Sequence, residues 1–283
     1  MTVLACIDGS RYTMSVCDYA ARAALRLGTG VELLHALDRP PGVELPIDRS
    51  GVMTADMADE ALEEYARLGE AQRRLDRERG RLVLDRAAAR VREAGVAQVQ
   101  ERLILGGLLD GLRDHEADAR LVVMGRRGTA EDRAAAHPGS NLERVVRAGH
   151  RPLLIVPPEH RPLRRFVVAW DAGPSANRII ETLAREPLLL DAECVVLTVG
   201  ADEPRRRDQV AAAAERLRAA GYRVEAALRP GHADEVILAT VRDADADLLV
   251  LGAYGHSRIR DLLVGSTTTA LLRASTVPVL VIR

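Results

Sequence analysis

The feature that most constrains this chain is that it contains itself twice. "VLACIDGSRYTMSVCDYAARAAL" near the start matches "FVVAWDAGPSANRIIETLARE" in the middle, with Asp8 over Asp171. "VELLHALD" matches "CVVLTVGAD", placing His35 and Ala36 over Thr198 and Val199. "ADARLVVMGRRG" matches "ADADLLVLGAYG", and thirteen positions separate Gly139 from Pro152 just as they separate Gly265 from Pro278. The chain therefore reads as two homologous domains, residues 1–157 and 165–283, joined by the proline- and charge-rich "PPEHRPLRR".

Within each half, short β-branched runs alternate with helical stretches, the pattern of an α/β domain whose parallel sheet carries helices on both faces. In the second half the strands are expected at 166–170, 194–199, 223–228, 248–252 and 278–282. The helices are expected at 175–186, 205–220, 232–243 and 266–274. The first half keeps this order, but Asp8 to Gly125 is 36 residues longer than Asp171 to Gly252. The excess falls in an insertion at about 40–94, charged and helical in period, which reads as a long solvated helix or helical hairpin, with a lid or partner-binding role as the sharper alternative. The closing strands "PLLIV" and "PVLVI" are apolar on both faces, so they are expected to pair with each other rather than stand as open edges.

An open parallel sheet binds ligands beyond the carboxyl ends of its strands, where the strand order reverses. If the first and fourth strands of a half flank that point, Asp171 and Gly252 emerge side by side. Gly252 and Gly255 let a phosphate approach the backbone, and Gly265-Ser266 opens a helix whose free N–H groups favour an anion. Thr267 adds a second hydroxyl. Singly, each piece is an ordinary turn or helix cap, and Ser140 with Glu143 is a capping box. Together, at fixed spacing, they converge on a phosphate-bearing ligand.

Composition narrows the alternatives. Forty Lys and Arg against 41 Asp and Glu give a net charge of −1, and aromatics are only 2%, which speaks against nucleic acid as a partner. No apolar run is long enough to span a membrane, and the N-terminus has no secretory pattern. Cys6, Cys17 and Cys194 form no metal-ligand spacing and read as reduced, buried thiols of a cytoplasmic protein.

Gly252, Gly255, Gly265 and Ser266 form G-x2-G-x9-G-S, which resembles the signature of the universal stress protein family. The openings "ACIDGS" and "AWDAGPS" and the endings "RPLLIV" and "VPVLVI" are similar to that family too, so the likeness covers nearly the whole chain as a tandem pair. The resemblance implies two five-stranded domains of Rossmann-like, adenine nucleotide alpha hydrolase-like fold, associated as an intramolecular pseudo-dimer, with a homodimer as the other assembly. It also implies ATP as ligand, with AMP, ADP and a Mg2+ companion to ATP left open, in a stress-response regulator. On this likeness Asp171 stands beside adenine, Val199 contacts it, and Gly252, Gly255, Gly265, Ser266 and Thr267 hold ribose and phosphates. The matching positions in the first half are Asp8, Ala36, Gly125, Gly128, Gly139 and Ser140.

The first half departs from the signature: ten residues separate Gly128 from Gly139, and Pro138 removes an N–H. The second half is therefore the favoured site, although Arg126 and Arg127 can face an anion. His35 reads as a core histidine, and His256 as a solvated or phosphate-contacting loop residue with no nucleophile partner, so no catalytic residue is assigned. Two rivals remain. A ligase-type enzyme of the same fold needs an S-G-G-x-D-S loop, which "IDGSRYT" and "WDAGPSA" lack, leaving at most slow ATP hydrolysis. A scaffold without nucleotide would act through protein partners alone.

Overall fold

The computed structural model describes residues 1–37, 55–128, 140–253 and 266–283. The first half runs β1 (Thr2–Ile7), α1 (Thr13–Leu27), β2 (Gly30–Leu37), α2 (Ala55–Glu93), β3 (Val99–Leu105), α3 (Leu108–His115), β4 (Ala119–Gly125), α4 (Ser140–Ala148) and β5 (Leu153–Val156). The second half repeats it with β6 (Arg165–Ala169), α5 (Pro174–Arg185), β7 (Glu193–Val199), α6 (Pro204–Ala219), β8 (Arg223–Arg229), α7 (Ala233–Asp243), β9 (Leu248–Gly252), α8 (Ser266–Ala274) and β10 (Val279–Ile282). The five strands and four helices expected of the second half all form, within a residue or two of the expected bounds.

All ten strands join one sheet in the order β3-β2-β1-β4-β5-β10-β9-β6-β7-β8. Every neighbouring pair is parallel except β5 and β10, which run antiparallel with Leu153 opposite Val281 and Ile155 opposite Val279. The apolar closing strands thus cover each other's edges. In each half the strand order reverses beside the first strand, between β1 and β4 and again between β6 and β9.

Strand residues alternate between two apolar layers, as a sheet covered on both faces requires. Val3, Ala5 and Ile7 enter one layer with α1, α2, α5 and α6, while Leu4 and Cys6 enter the other with α3, α4, α7 and α8. Both layers draw residues from both halves. The cysteines are free and buried, and burial pushes the Cys6 and Cys17 thiols up to about 12 and the Cys194 thiol up as well. No helix among the described residues is long and apolar enough to cross a membrane.

The insertion forms a single 39-residue helix rather than a hairpin over its described part, and residues 40–54 of it lie outside the described residues. It is not solvated along its length. Leu84, Ala87, Ala88 and Val91 are fully buried against the sheet layer, and Arg90 holds Asp18 of α1 at 2.7 Å. Gly80 marks the point of closest approach, since a Cβ there would stand 2.7 Å from Leu103 Cδ1 and 3.2 Å from His35 Cδ2.

Candidate nucleotide site

The two repeats build the same turn at the end of their first strand. The Ser10 N–H donates to Asp8 Oδ1 at 3.0 Å, and the Gly173 N–H donates to Asp171 Oδ1 at 2.9 Å. Between donor and acceptor the backbone turns left-handed, at φ 75° for Gly9 and 60° for Ala172. The end of the second strand braces this turn from the side. His35 Nδ1 lies 2.8 Å from the Ile7 carbonyl oxygen, and Thr198 Oγ1 donates to the Trp170 carbonyl oxygen at 2.9 Å. A carbonyl only accepts, so Nδ1 donates in this contact, a role assigned from the geometry. His35 is a buried histidine, as expected, and Thr198 performs its bracing role in the other half.

Beyond the carboxyl ends of β1, β2 and β4 lies a cavity of about 520 Å3, within the range of small-molecule sites. Asp8, Ala36, Gly125 and Gly128 all line it, so four of the six first-half positions come together. Gly139 lies outside the described residues; Ser140 opens α4. Space is narrow at two glycines. A Cβ on Gly125 would meet Tyr12 Cβ at 2.6 Å, and one on Gly128 would stand 3.0 Å from Asp8 Oδ2.

Electrostatically the cavity has three kinds of wall. Arg79, Arg126 and Arg127 supply cations, Asp8 and Asp76 carboxylates, and Val83, Leu108 and Met124 an apolar surface. Arg126 is held at the seam between the halves, its Nη2 donating to the Val277 carbonyl oxygen at 3.1 Å. Burial, opposed by Tyr12 and reinforced by Arg127, lowers its pKa from the ordinary arginine value. Its buried Nε has no hydrogen-bond partner among the described residues, which leaves a donor for an acceptor atom. Glu143, one turn into α4, is drawn to Arg273 of α8 at 2.9 Å across the seam. That pair partly neutralises the acid near the helix start.

Sequence reasoning missed Tyr12, Asp76, Arg79 and Val83, which line the cavity with the expected residues. Tyr12 precedes α1 in the same loop as Asp8. The other three come from α2, the segment taken as solvated. In the second half, Asp171, Val199 and Gly252 stand at the carboxyl ends of β6, β7 and β9, whose lateral order repeats that of β1, β2 and β4. A Cβ on Gly252 would lie 3.2 Å from Ser175 Cβ, so α5 starts tight against it. Ser266 and Thr267 open α8 and are exposed. Gly255, Gly265 and His256 lie outside the described residues.

Known proteins share this architecture. The model of the universal stress protein family matches residues 1–157 and 200–283. The universal stress protein Slr1230 of Synechocystis sp. is 34% identical over 284 residues, covering 99% of both chains. The crystal structure of a universal stress protein from Archaeoglobus fulgidus superposes with a TM-score of 0.70 at 20% identity, over 99% of this chain and 95% of that one. A universal stress protein solved in complex with cAMP matches 43% of this chain and 97% of its own length, at 23% identity and a TM-score of 0.37. The chain belongs to the universal stress protein family.

Proposed function

We propose that this protein is an adenine-nucleotide-binding regulator of a cytoplasmic stress response, with ATP as its principal ligand. Its domains, 1–157 and 165–283, would act as an intramolecular pseudo-dimer. The observation that carries the reading is the cavity at the β1/β4 reversal, where Asp8, Ala36, Gly125 and Gly128 converge with two consecutive arginines. The residues suit a nucleotide. Gly125 and Gly128 put backbone on the cavity wall, the buried Arg126 Nε has no hydrogen-bond partner among the described residues, and apolar side chains offer a surface for a base to lie against. The equivalent positions Asp171, Val199, Gly252, Gly255, Gly265, Ser266 and Thr267 would form a second site, the one whose loop keeps the nine-residue spacing. Mg2+ would accompany ATP through its phosphates.

Calorimetric titration with ATP, ADP and AMP tests this. The expected stoichiometry is two per chain, with Gly128→Val removing one site and Gly255→Val the other. Valine at 128 drives a branched side chain at the Asp8 carboxylate, and circular dichroism checks that the variants fold. Absence of both binding heat and a rise in melting temperature with all three nucleotides would defeat the reading, leaving a scaffold that works through protein partners.

A further inference from the structure

Helix α2 carries a second surface that the nucleotide reading does not use. Its inner face is fixed by Gly80, Leu84 and Ala87, all buried against the body. On the opposite face three leucines stand in water at intervals of seven: Leu68, Leu75 and Leu82, exposed by 58%, 48% and 57%. At 100° per residue a seven-residue step drifts only about 20°, so the three form one stripe running along the outside of the helix. Seven-residue apolar spacing is the repeat by which one helix packs along another.

The charges on the helix say which partner fits. Residues 56–70 hold six acids and one arginine, while residues 73–92 hold eight arginines and three acids. One end of the helix is thus strongly negative and the other strongly positive. We propose that α2 pairs with α2 of a second copy of this chain, antiparallel, about a twofold axis at Leu75. In that register Leu75 meets its own counterpart and Leu68 meets Leu82. Glu64 meets Arg86, which lies on the same face and has no ion-pair partner among the described residues. A parallel pair would lay acid on acid and base on base, a repulsive arrangement. From Glu64 to Arg86 the contact runs roughly 33 Å, and the interface is isologous, so it closes at two copies. Among the described residues the body packs against the inner face and leaves the outer stripe exposed to an approaching partner.

Sedimentation equilibrium on the full chain tests it. The wild type is expected to dimerise, and Leu75→Glu to weaken association at least about tenfold with unchanged circular dichroism. Glu64→Arg and Arg86→Glu, each alone, place like charges opposite each other and are also expected to be monomeric. Mixed together, those two variants are expected to form a heterodimer, since every 64–86 contact is then opposite in sign. Oxidation of Leu75→Cys should cross-link two chains, Leu68→Cys alone should not, and Leu68→Cys with Leu82→Cys should. A monomeric wild type, or a dimer indifferent to Leu75→Glu and to both charge reversals, overturns the proposal. So does cross-linking through Leu68→Cys alone, which would indicate a parallel pair.

Discussion

Arg126 Nη2 donates to the carbonyl oxygen of Val277, 151 residues further along the chain, so a residue of the first cavity is also a clasp between the halves. The two roles separate in Arg126→Met. Methionine keeps most of the packing and removes a guanidinium whose burial already disfavours its charge. Losing one hydrogen bond while relieving that desolvation is expected to change stability by no more than about 1 kcal/mol in urea unfolding. ATP affinity is expected to fall about tenfold, the worth of one charge-assisted contact. A large loss of stability with affinity unchanged would make Arg126 a clasp alone.

Arg79 tests whether α2 belongs to the site. It lines the cavity but is solvent-exposed, so a contact with the phosphates of the proposed ligand would be screened. Arg79→Ala is expected to weaken ATP binding about three- to fivefold, roughly 1 kcal/mol, and adenosine binding not at all. The difference should shrink in high salt. Equal loss for ATP and adenosine would point to a packing role in place of the electrostatic one.

The repeated turn predicts opposite outcomes at equivalent positions. Gly9→Ala forces a side chain onto a left-handed backbone and sets its Cβ 3.2 Å from Val83 Cγ2 of α2, a cost of about 1–2 kcal/mol. At Ala172 that backbone strain is already present, so Ala172→Gly relieves it. Part of the relief is offset by the greater freedom of glycine in the unfolded chain, leaving a gain of about 0.5 kcal/mol. Thermal unfolding of the two variants should move in opposite directions. A loss of stability at Ala172→Gly would contradict the strain argument.

The buried thiols predict an alkaline limit. In the unfolded chain they ionise near pH 9, whereas in the fold Cys6 and Cys17 are pushed up to about 12, chiefly by burial. Below pH 9 both states hold the proton and the thiols contribute nothing to pH dependence. Above it the unfolded state releases protons that the native state retains, so stability falls as pH rises. The slope is about 1.4 kcal/mol per pH unit for each thiol. Urea unfolding of the wild type against Cys6→Ala and Cys17→Ala between pH 8 and 10.5 measures the slope, which each substitution should flatten. At pH 8 a thiol reagent should label the chain only after unfolding.

Much of this was legible because a repeat writes each constraint twice. Asp8 and Asp171, and Gly125 and Gly252, occupy matching strand ends, whereas the order reversal between β1 and β4 is supplied by the structure and not by the spacing of these residues. The role of α2 was not legible. Its buried stripe of Leu84, Ala87, Ala88 and Val91 is diluted by arginines and acids on every turn, so the segment reads as solvated. Gly80 looks like a helix defect in the sequence, and only the approach of His35 and Leu103 shows that a side chain there would have to displace its neighbours. Nor does sequence equate His35 with Thr198. An imidazole and a hydroxyl share no pattern, yet each spans 28 residues to brace the carbonyl just before an aspartate.

The antiparallel join of β5 to β10 has one further outcome. It reverses every strand of the second half relative to the first, so the rim from which Asp8 and Gly125 look out is the rim where β6 and β9 begin. Asp171 and Gly252 look out from the far rim. A protein surface pressed against the first rim leaves the second facing away from it. The molecule is two-ended, and its ends can be read separately.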